Sequence, residues 1–111
     1  MSVFTWPFVR MAVVQHKGII HAIGMNKTLY GPEPGAIYCR SDDEGLFPAE
    51  ISGTDILGSK LIVADCDDET PALVVLPTGV LVAMIAKAGV MERWESRNGG
   101  NDWDLRETIT P

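Results

Sequence analysis

Short apolar runs alternate with polar turns along the whole chain, and these runs are rich in Val and Ile and interrupted by Gly and Pro. Helical periodicity is nearly absent, so the pattern predicts an all-β protein. The predicted strands of the first half are Phe8–Gln15, Gly18–Met25, Ala36–Arg40 and Phe47–Ile51. Those of the second half are Ala72–Leu76, Val80–Ala86, Val90–Glu95 and Asp102–Ile109, and a further strand fits near Leu61–Asp65.

The first turn of each half contains a glycine at the same place. His16-Lys17-Gly18 and Pro77-Thr78-Gly79 both end on the residue that best accepts the positive φ of a tight hairpin turn. The second turn is unequal, because Ala88-Gly89 is short whereas the loop Asn26–Gly35 is long and stiffened by two prolines. The halves therefore differ mainly in this loop.

The two halves can be aligned on each other. Val13–Ala22 matches Val74–Ala83, and Ile37–Ser41 matches Glu92–Ser96. Each half then contains four strands in an antiparallel meander, which indicates a repeat architecture. The prediction is a single domain, 1–111, with repeats at about 8–51 and 70–109 and a linker at 52–69.

The most specific motif lies before the last predicted strand. It has a small polar residue, then Asn two residues on, Gly four on and an aromatic seven on: Ser96-Arg97-Asn98-Gly99-Gly100-Asn101-Asp102-Trp103. A worn copy lies in the first half, with its aromatic one residue early: Ser41-Asp42-Asp43-Glu44-Gly45-Leu46-Phe47. Both copies follow the third predicted strand of their repeat.

Together the repeats and motifs resemble two blades of a sialidase-like (BNR or Asp-box) β-propeller. The resemblance implies a structural Asp-box that begins at Ser96, in which Asn98 caps backbone amides, Gly100 adopts the left-handed conformation and Trp103 packs between strands. In the worn copy, which begins at Ser41, the corresponding residues are Asp43, Gly45 and Phe47.

Two blades are too few to close a ring, since β-propellers contain roughly four to eight blades. Exposed strand edges and bare sheet faces favour association, and symmetric closure is the alternative to aggregation. The resemblance therefore implies a cyclic homo-oligomer, with a trimer of six blades favoured. A single β-sandwich is the alternative fold, because eight strands would also fit that architecture.

The resemblance also bears on catalysis. Sialidases use three arginines, a Tyr–Glu pair and an aspartate spread over a whole propeller, and here only Arg10 in Val9-Arg10-Met11-Ala12 is similar to the first of these arginines. The sequence therefore favours a non-catalytic module for binding or structural assembly. Its candidate contacts to a glycan or protein ligand are the aromatic residues Trp6, Tyr30 and Trp94. The alternative is a glycosidase-like hydrolase whose site is assembled between subunits.

The charge and the apolar runs of the chain limit the classes of partner and the location that the sequence favours. The net charge of −6 opposes a nucleic-acid partner, and no apolar run approaches the ~18 residues of a membrane span. The N-terminus lacks the pattern of a signal peptide. The expected location is therefore the cytoplasm or, by analogy with small phage tail components, a virion.

No cofactor or metal is predicted. Cys39 and Cys66 are too sparse for a disulfide scaffold and are expected to be thiols. His16 and His21 lie across a turn without a third ligand. The acidic clusters 42–44 and 65–69 lack the spacing of a calcium loop and are expected to be solvated turns.

Overall fold

The computed structural model describes residues 9–26, 35–41, 59–67 and 69–110. Within these ranges the secondary structure is all β, which confirms the predicted fold class. Two four-stranded antiparallel sheets form, each with its strands in chain order. Sheet 1 contains β1 (Val9–His16), β2 (Ile19–Asn26), β3 (Gly35–Ser41) and β4 (Ser59–Val63). Sheet 2 contains β5 (Ala72–Val75), β6 (Leu81–Lys87), β7 (Val90–Ser96) and β8 (Asp104–Ile109).

The fourth strand of sheet 1 differs from the expectation. β4 confirms the further strand predicted near 61–65, but it pairs with β3 as a member of sheet 1 and lies inside the segment 52–69 that was predicted as a linker. The predicted strand 47–51 lies outside the described residues. The run 61–63 is Leu-Ile-Val, which suits a pleated and half-buried surface. Pro48, by contrast, has no amide hydrogen to donate to a ladder. Sheet 1 therefore ends at Val63 rather than at the predicted boundary, 51.

Two hairpins share one turn geometry. Lys17 and Gly18 have φ values of 51° and 81°, and Ala88 and Gly89 have φ values of 52° and 80°. Positive φ at both central residues is the signature of the type I′ turn, whose twist matches that of the flanking strands. These turns fix the register of β1 with β2 and of β6 with β7.

The two sheets pack face to face around one apolar core. We call the face of each sheet that points at the other sheet its inner face, and the opposite face its outer face. The backbones approach most closely where β5 lies against β1 and β2. The buried core combines residues of both inner faces with residues next to them, chiefly Ile23, Met25, Tyr38, Ile62, Val63, Leu73, Leu81, Ala83 and Ile85.

The inner face of sheet 1 and the inner face of sheet 2 do not carry matching residues of the two repeats. In the alignment of the repeats, the inner face of sheet 1 corresponds to the outer face of sheet 2. Ala22 matches Ala83 in the alignment of the halves, and Ala83 lies in the core. Ala22, however, precedes the core residue Ile23 on the same strand. Because side chains alternate along a strand, Ala22 lies on the outer face of sheet 1.

The third strands show the same inversion. Tyr38 of β3 lies in the core, and the matching residue of β7 is Arg93. Trp94, the next residue on β7, packs against the core. Because side chains alternate along a strand, Arg93 lies on the outer face of sheet 2. Each sheet thus contributes the opposite face of the repeat to the core, which means that the sheets are related head to tail and not by a two-fold axis.

Candidate functional site

The turn between β7 and β8 is closed by its own side chains. Ser96 Oγ accepts a hydrogen bond from the backbone N–H of Gly100 at 2.8 Å and donates one to Asn98 Oδ1 at 3.1 Å. Asn98 Oδ1 also accepts the backbone N–H of Asp102 at 2.9 Å. The side chains thereby satisfy amides that the strand ladder leaves without partners.

Two glycines and a tryptophan complete this turn. Gly99 and Gly100 have φ values of 74° and 100°, a region that side chains with a Cβ rarely enter. Trp103 Nε1 donates a hydrogen bond to the carbonyl of Gly100 at 3.0 Å. The indole packs against the core and lies 5.4 Å from the ring of Tyr38, centroid to centroid.

The turn docks onto the inner face of sheet 1. The Tyr38 hydroxyl donates to the carbonyl of Gly99 at 3.0 Å, and Arg40 Nη1 donates to the same carbonyl at 2.7 Å. A Cβ at Gly100 would lie 2.1 Å from Tyr38 Cε2. Gly100 is therefore required both by its backbone conformation and by the approach of the tyrosine ring.

A buried hydrogen-bond chain supports this contact. His21 Nδ1 lies 2.6 Å from the Tyr38 hydroxyl, and because the hydroxyl hydrogen goes to Gly99, the imidazole must be the donor. Burial, with Arg40 and His16 nearby, lowers the pKa of His21 to about 4. Burial raises the pKa of Tyr38. Both groups are therefore neutral at pH 7, and the chain runs from His21 through Tyr38 to Gly99.

The sequence did not point to this docking contact. Tyr38 and Arg40 are two residues apart on β3, so they share one face of sheet 1. His21 lies opposite Arg40 on the neighbouring strand. The available signal was a tyrosine and an arginine in alternation just before the worn motif, but the packing of the two sheets was needed to show what they contact.

Some of the other predicted site residues lie in the described part of the chain and some lie outside it. Ser41 is buried at the end of β3. Trp94, a candidate ligand contact, is half-buried against the core, and its Nε1 donates to Glu92 Oε1 at 3.1 Å. Trp6, Tyr30, Asp43, Gly45 and Phe47 lie outside the described residues.

The outer face of sheet 2 carries an arginine cluster around Glu95. Glu95 is buried, and Arg93 Nη2 makes a close ion pair with its Oε2. Arg97 Nη2 and Arg106 Nε lie 3.3 and 3.9 Å from the other carboxylate oxygen. Arg93 also reaches Glu107 at 3.8 Å. The Nε of Arg93 is buried and has no hydrogen-bond acceptor.

Beside this cluster the outer face is apolar. The register places Val74, Met91 and Ile109 on the same side of sheet 2 as Arg93. Their exposed fractions are 50%, 37% and 42%, which is high for apolar side chains on a strand. The outer face of sheet 2 therefore combines a charged cluster with exposed apolar side chains on either side of it, a composition found at association surfaces.

A cleft of about 390 Å³ lies at the β6–β7 turn, lined by residues that include Asp67, Glu69, Val90, Met91 and Ile109. The Asp67 carboxylate accepts the backbone N–H groups of Ala88 and Gly89 at 3.0 and 3.2 Å. The Asp67 carboxylate therefore caps the β6–β7 turn.

Among the described residues no group of three or more His, Cys, Asp or Glu side chains is arranged to hold a metal ion. Cys39 and Cys66 are both buried and form no disulfide, and burial raises the pKa of Cys66. In the same ranges of the chain no helix has the length and apolar character to cross a membrane. Comparison of the chain with protein-family models, curated proteins and solved structures finds no match.

Proposed function

We propose that this protein is a non-catalytic structural module of the β-propeller type, which assembles head to tail with further copies of itself into a closed ring. The observation that supports this most directly is the use of opposite repeat faces at the junction of sheets 1 and 2. In the alignment of the repeats, the outer faces of the two sheets are equivalent to the two faces that already pack together within the chain. Val74, Met91 and Ile109 on the outer face of sheet 2 are exposed, whereas Ala22, Ile37 and Cys39 on the outer face of sheet 1 are buried, so ring closure requires the chain to uncover that face on assembly.

Head-to-tail interfaces propagate until the rotation closes a ring. Each chain supplies two four-stranded sheets, so three chains supply six blades, within the range of blade numbers that propellers use. A sandwich with a two-fold axis between its sheets would have matched equivalent faces and would be complete within one chain. The ring would present its loops and blade junctions to a glycan or a protein.

Exposed apolar residues on the first strand of each sheet are consistent with this assembly. Met11 and Val13 of β1 are exposed, as is Val74 of β5, and both strands are edge strands. Exposed edges that carry apolar side chains are liabilities in a free monomer. Within a ring the first strands of all blades would surround the central axis and shield one another.

Light scattering coupled to gel filtration tests the proposal. The chain mass is 12.1 kDa, and we expect the purified protein to elute with the mass of three chains at micromolar concentration. A mass of two or four chains would keep the head-to-tail assembly and change the blade number. A monomer at every accessible concentration would overturn the proposal.

A further inference from the structure

We propose that the cleft at the β6–β7 turn binds a basic side chain, lysine or arginine, of a partner protein. The aliphatic stem would lie on an apolar row of sheet 2, and the cationic head would meet Asp67 and Glu69. This site rests on the binding role proposed above and names its partner, but it does not depend on the number of chains in the ring.

The floor of the cleft is a row of apolar side chains that crosses three strands. Ala86 of β6 pairs with Met91 of β7, and Met91 pairs with Ile109 of β8. Residues that pair in this way project from the same face of a sheet, so the three side chains lie next to one another on the outer face. All three line the cleft, and Met91 and Ile109 are exposed. The row is therefore an apolar surface that solvent reaches.

The wall of the cleft beside Ala86 is acidic. The segment that leads from sheet 1 to sheet 2 runs along the end of β6, because the backbone N–H of Asp67 donates to the carbonyl of Ala86 at 2.9 Å. The backbone N–H of Glu69 in turn donates to the carbonyl of Asp67 at 2.8 Å. These two hydrogen bonds hold both acidic residues beside the apolar row, and both line the cleft.

The Asp67 carboxylate is fixed in position and still has acceptor capacity for a ligand. Its two oxygens each accept one backbone N–H of the turn, from Ala88 and from Gly89, whereas an ionised carboxylate offers about four acceptor sites. Glu69 is exposed, so its side chain can change rotamer. A cation in the cleft would therefore meet one fixed carboxylate and one that can adjust to it.

The charges around the cleft favour a cation. Among the described residues that line it, none is basic. Lys87 follows Ala86 on β6 and therefore projects from the inner side of the sheet. Arg93 lies farther along the outer face and pairs with Glu95 and Glu107. The net charge of the chain is −6, so the overall field also attracts a cationic ligand.

Lysine and arginine match the cleft because each combines an apolar stem with a charged head. A metal ion would leave the apolar row unused, and a purely apolar side chain would leave the two carboxylates without a partner. The volume of about 390 Å³ is near the lower end of the range for small-ligand sites. The cleft therefore suits one basic side chain and a neighbouring residue of an extended segment.

Two matched peptides test the site in the full-length protein. One is acetylated leucyl-arginine amide, and the other contains citrulline, which keeps the shape of arginine but has no charge. Dissociation constants come from NMR titration at low ionic strength, followed at the amide of Gly89 and the methyl groups of Met91 and Ile109. Circular dichroism verifies the fold of every variant.

The variant Asp67→Asn/Glu69→Gln removes both charges from the wall but keeps an oxygen acceptor for the turn. The matched control is Asp104→Asn/Glu107→Gln, which changes the net charge by the same amount farther along the outer face. A third variant, Ile109→Thr, makes the floor more polar without changing the charge.

We expect the wild type to bind the arginine peptide about three- to tenfold more tightly than the citrulline peptide, as for two partly exposed ion pairs. The preference should disappear in Asp67→Asn/Glu69→Gln and persist in the control. Ile109→Thr should weaken the binding of both peptides by a similar factor, because both place a stem on the same apolar row.

Equal binding of the two peptides by the wild type, or no binding of either, overturns the site. A preference that survives in folded Asp67→Asn/Glu69→Gln overturns it as well. If that variant does not fold, Glu69→Gln alone makes the comparison, since the Glu69 side chain is exposed and should account for part of the preference; an unchanged preference would count against the site.

Light scattering on the same samples separates this site from the ring. A monomeric wild type that prefers the arginine peptide overturns the ring and keeps the site, whereas an oligomer without the preference keeps the ring and overturns the site. A lower mass for Asp67→Asn/Glu69→Gln than for the wild type and the control would show that a second copy of the chain fills the cleft, and would overturn the assignment to a partner protein.

Discussion

Tyr38 and Arg93 occupy matching positions in the two repeats, yet their surroundings are opposite. Tyr38 is fully buried and neutral, and it holds a backbone carbonyl through its hydroxyl. Arg93 lies on an outer face with 41% of its side chain exposed, and it pairs with carboxylates. The same position of the repeat therefore makes a buried, hydrogen-bonded contact in one half and lies on a charged, partly exposed face in the other.

The difference indicates what each junction can do. A neutral hydrogen-bond chain inside the core has no charge to desolvate and forms as part of folding. Contacts made by a charged and partly exposed face are weakened by salt. The internal junction is therefore part of the folded chain, whereas the outer face of sheet 2 would form contacts only in the proposed assembly. Four measurements test this difference between the two positions.

The largest effect is expected from Gly100→Ala, which breaks the internal junction. The added Cβ must avoid the Tyr38 ring and adopt a φ of 100°. Left-handed backbone costs about 1–2 kcal/mol and overpacking about 1–3 kcal/mol, so the free energy of unfolding should fall by about 2–5 kcal/mol in urea titrations. Gly99→Ala is the control, since its Cβ would have only Arg40 Nη1 at 3.6 Å. Equal losses in the two variants would contradict the tyrosine contact.

The next effect is a pH dependence centred on His21. Its pKa is about 4 in the folded protein and about 6.5 in an unfolded chain, so the unfolded state binds more protons between these values. The stabilisation is fully present above pH 6.5 and is lost as pH falls towards 4, by up to about 3 kcal/mol. The difference in unfolding free energy between wild type and His21→Gln, measured from pH 7 to pH 4, isolates this contribution from the carboxyl groups. A pH-independent difference would show that His21 titrates normally.

A smaller loss is expected when only the tyrosine hydroxyl is removed. Tyr38→Phe keeps the ring against Gly100 and Trp103 but leaves His21 Nδ1 without its partner, which should cost about 1–3 kcal/mol in the free energy of unfolding. Arg93→Gln at the matching position is the counterpart on the outer face. It should change the stability of the dissociated chain less than Tyr38→Phe, because Arg93 is partly exposed. The reverse order would mean that the two junctions do not differ in the way described.

Much of the local structure could be predicted from the sequence. Short apolar runs bounded by Gly and Pro placed the strands within two residues of their observed ends, including the further strand near 61–65, and Gly18 and Gly89 marked their turns. The exception was the role of that further strand, which is the fourth strand of sheet 1 and was not predicted as such. Its placement depends on which apolar segment pairs with β3, and that is a long-range choice that local pattern does not encode.

The docking contact was beyond the reach of the sequence for a related reason. Alternation shows that Tyr38 and Arg40 share a face, but it does not show which face is buried or what lies across from it. Only the packing of the sheets brings the carbonyl of Gly99 to the hydroxyl of Tyr38. The same packing shows that the repeats meet through opposite faces, from which the head-to-tail proposal follows.

The smallest effect is expected within the β7–β8 turn itself. Asn98→Ala removes the acceptor for the backbone N–H of Asp102 and for Ser96 Oγ, but the position is exposed and water can replace much of what is lost. We expect a decrease of about 1 kcal/mol in the free energy of unfolding, similar to the loss of a helix cap. Asn98→Asp keeps the Oδ1 acceptor and should recover most of the loss, apart from repulsion by Asp102. Because the turn carries Gly99 and Gly100 into the internal junction, Asn98→Ala should also reduce the effect of a second change at Tyr38. Additive losses in Asn98→Ala/Tyr38→Phe would instead show that the turn and the junction are independent.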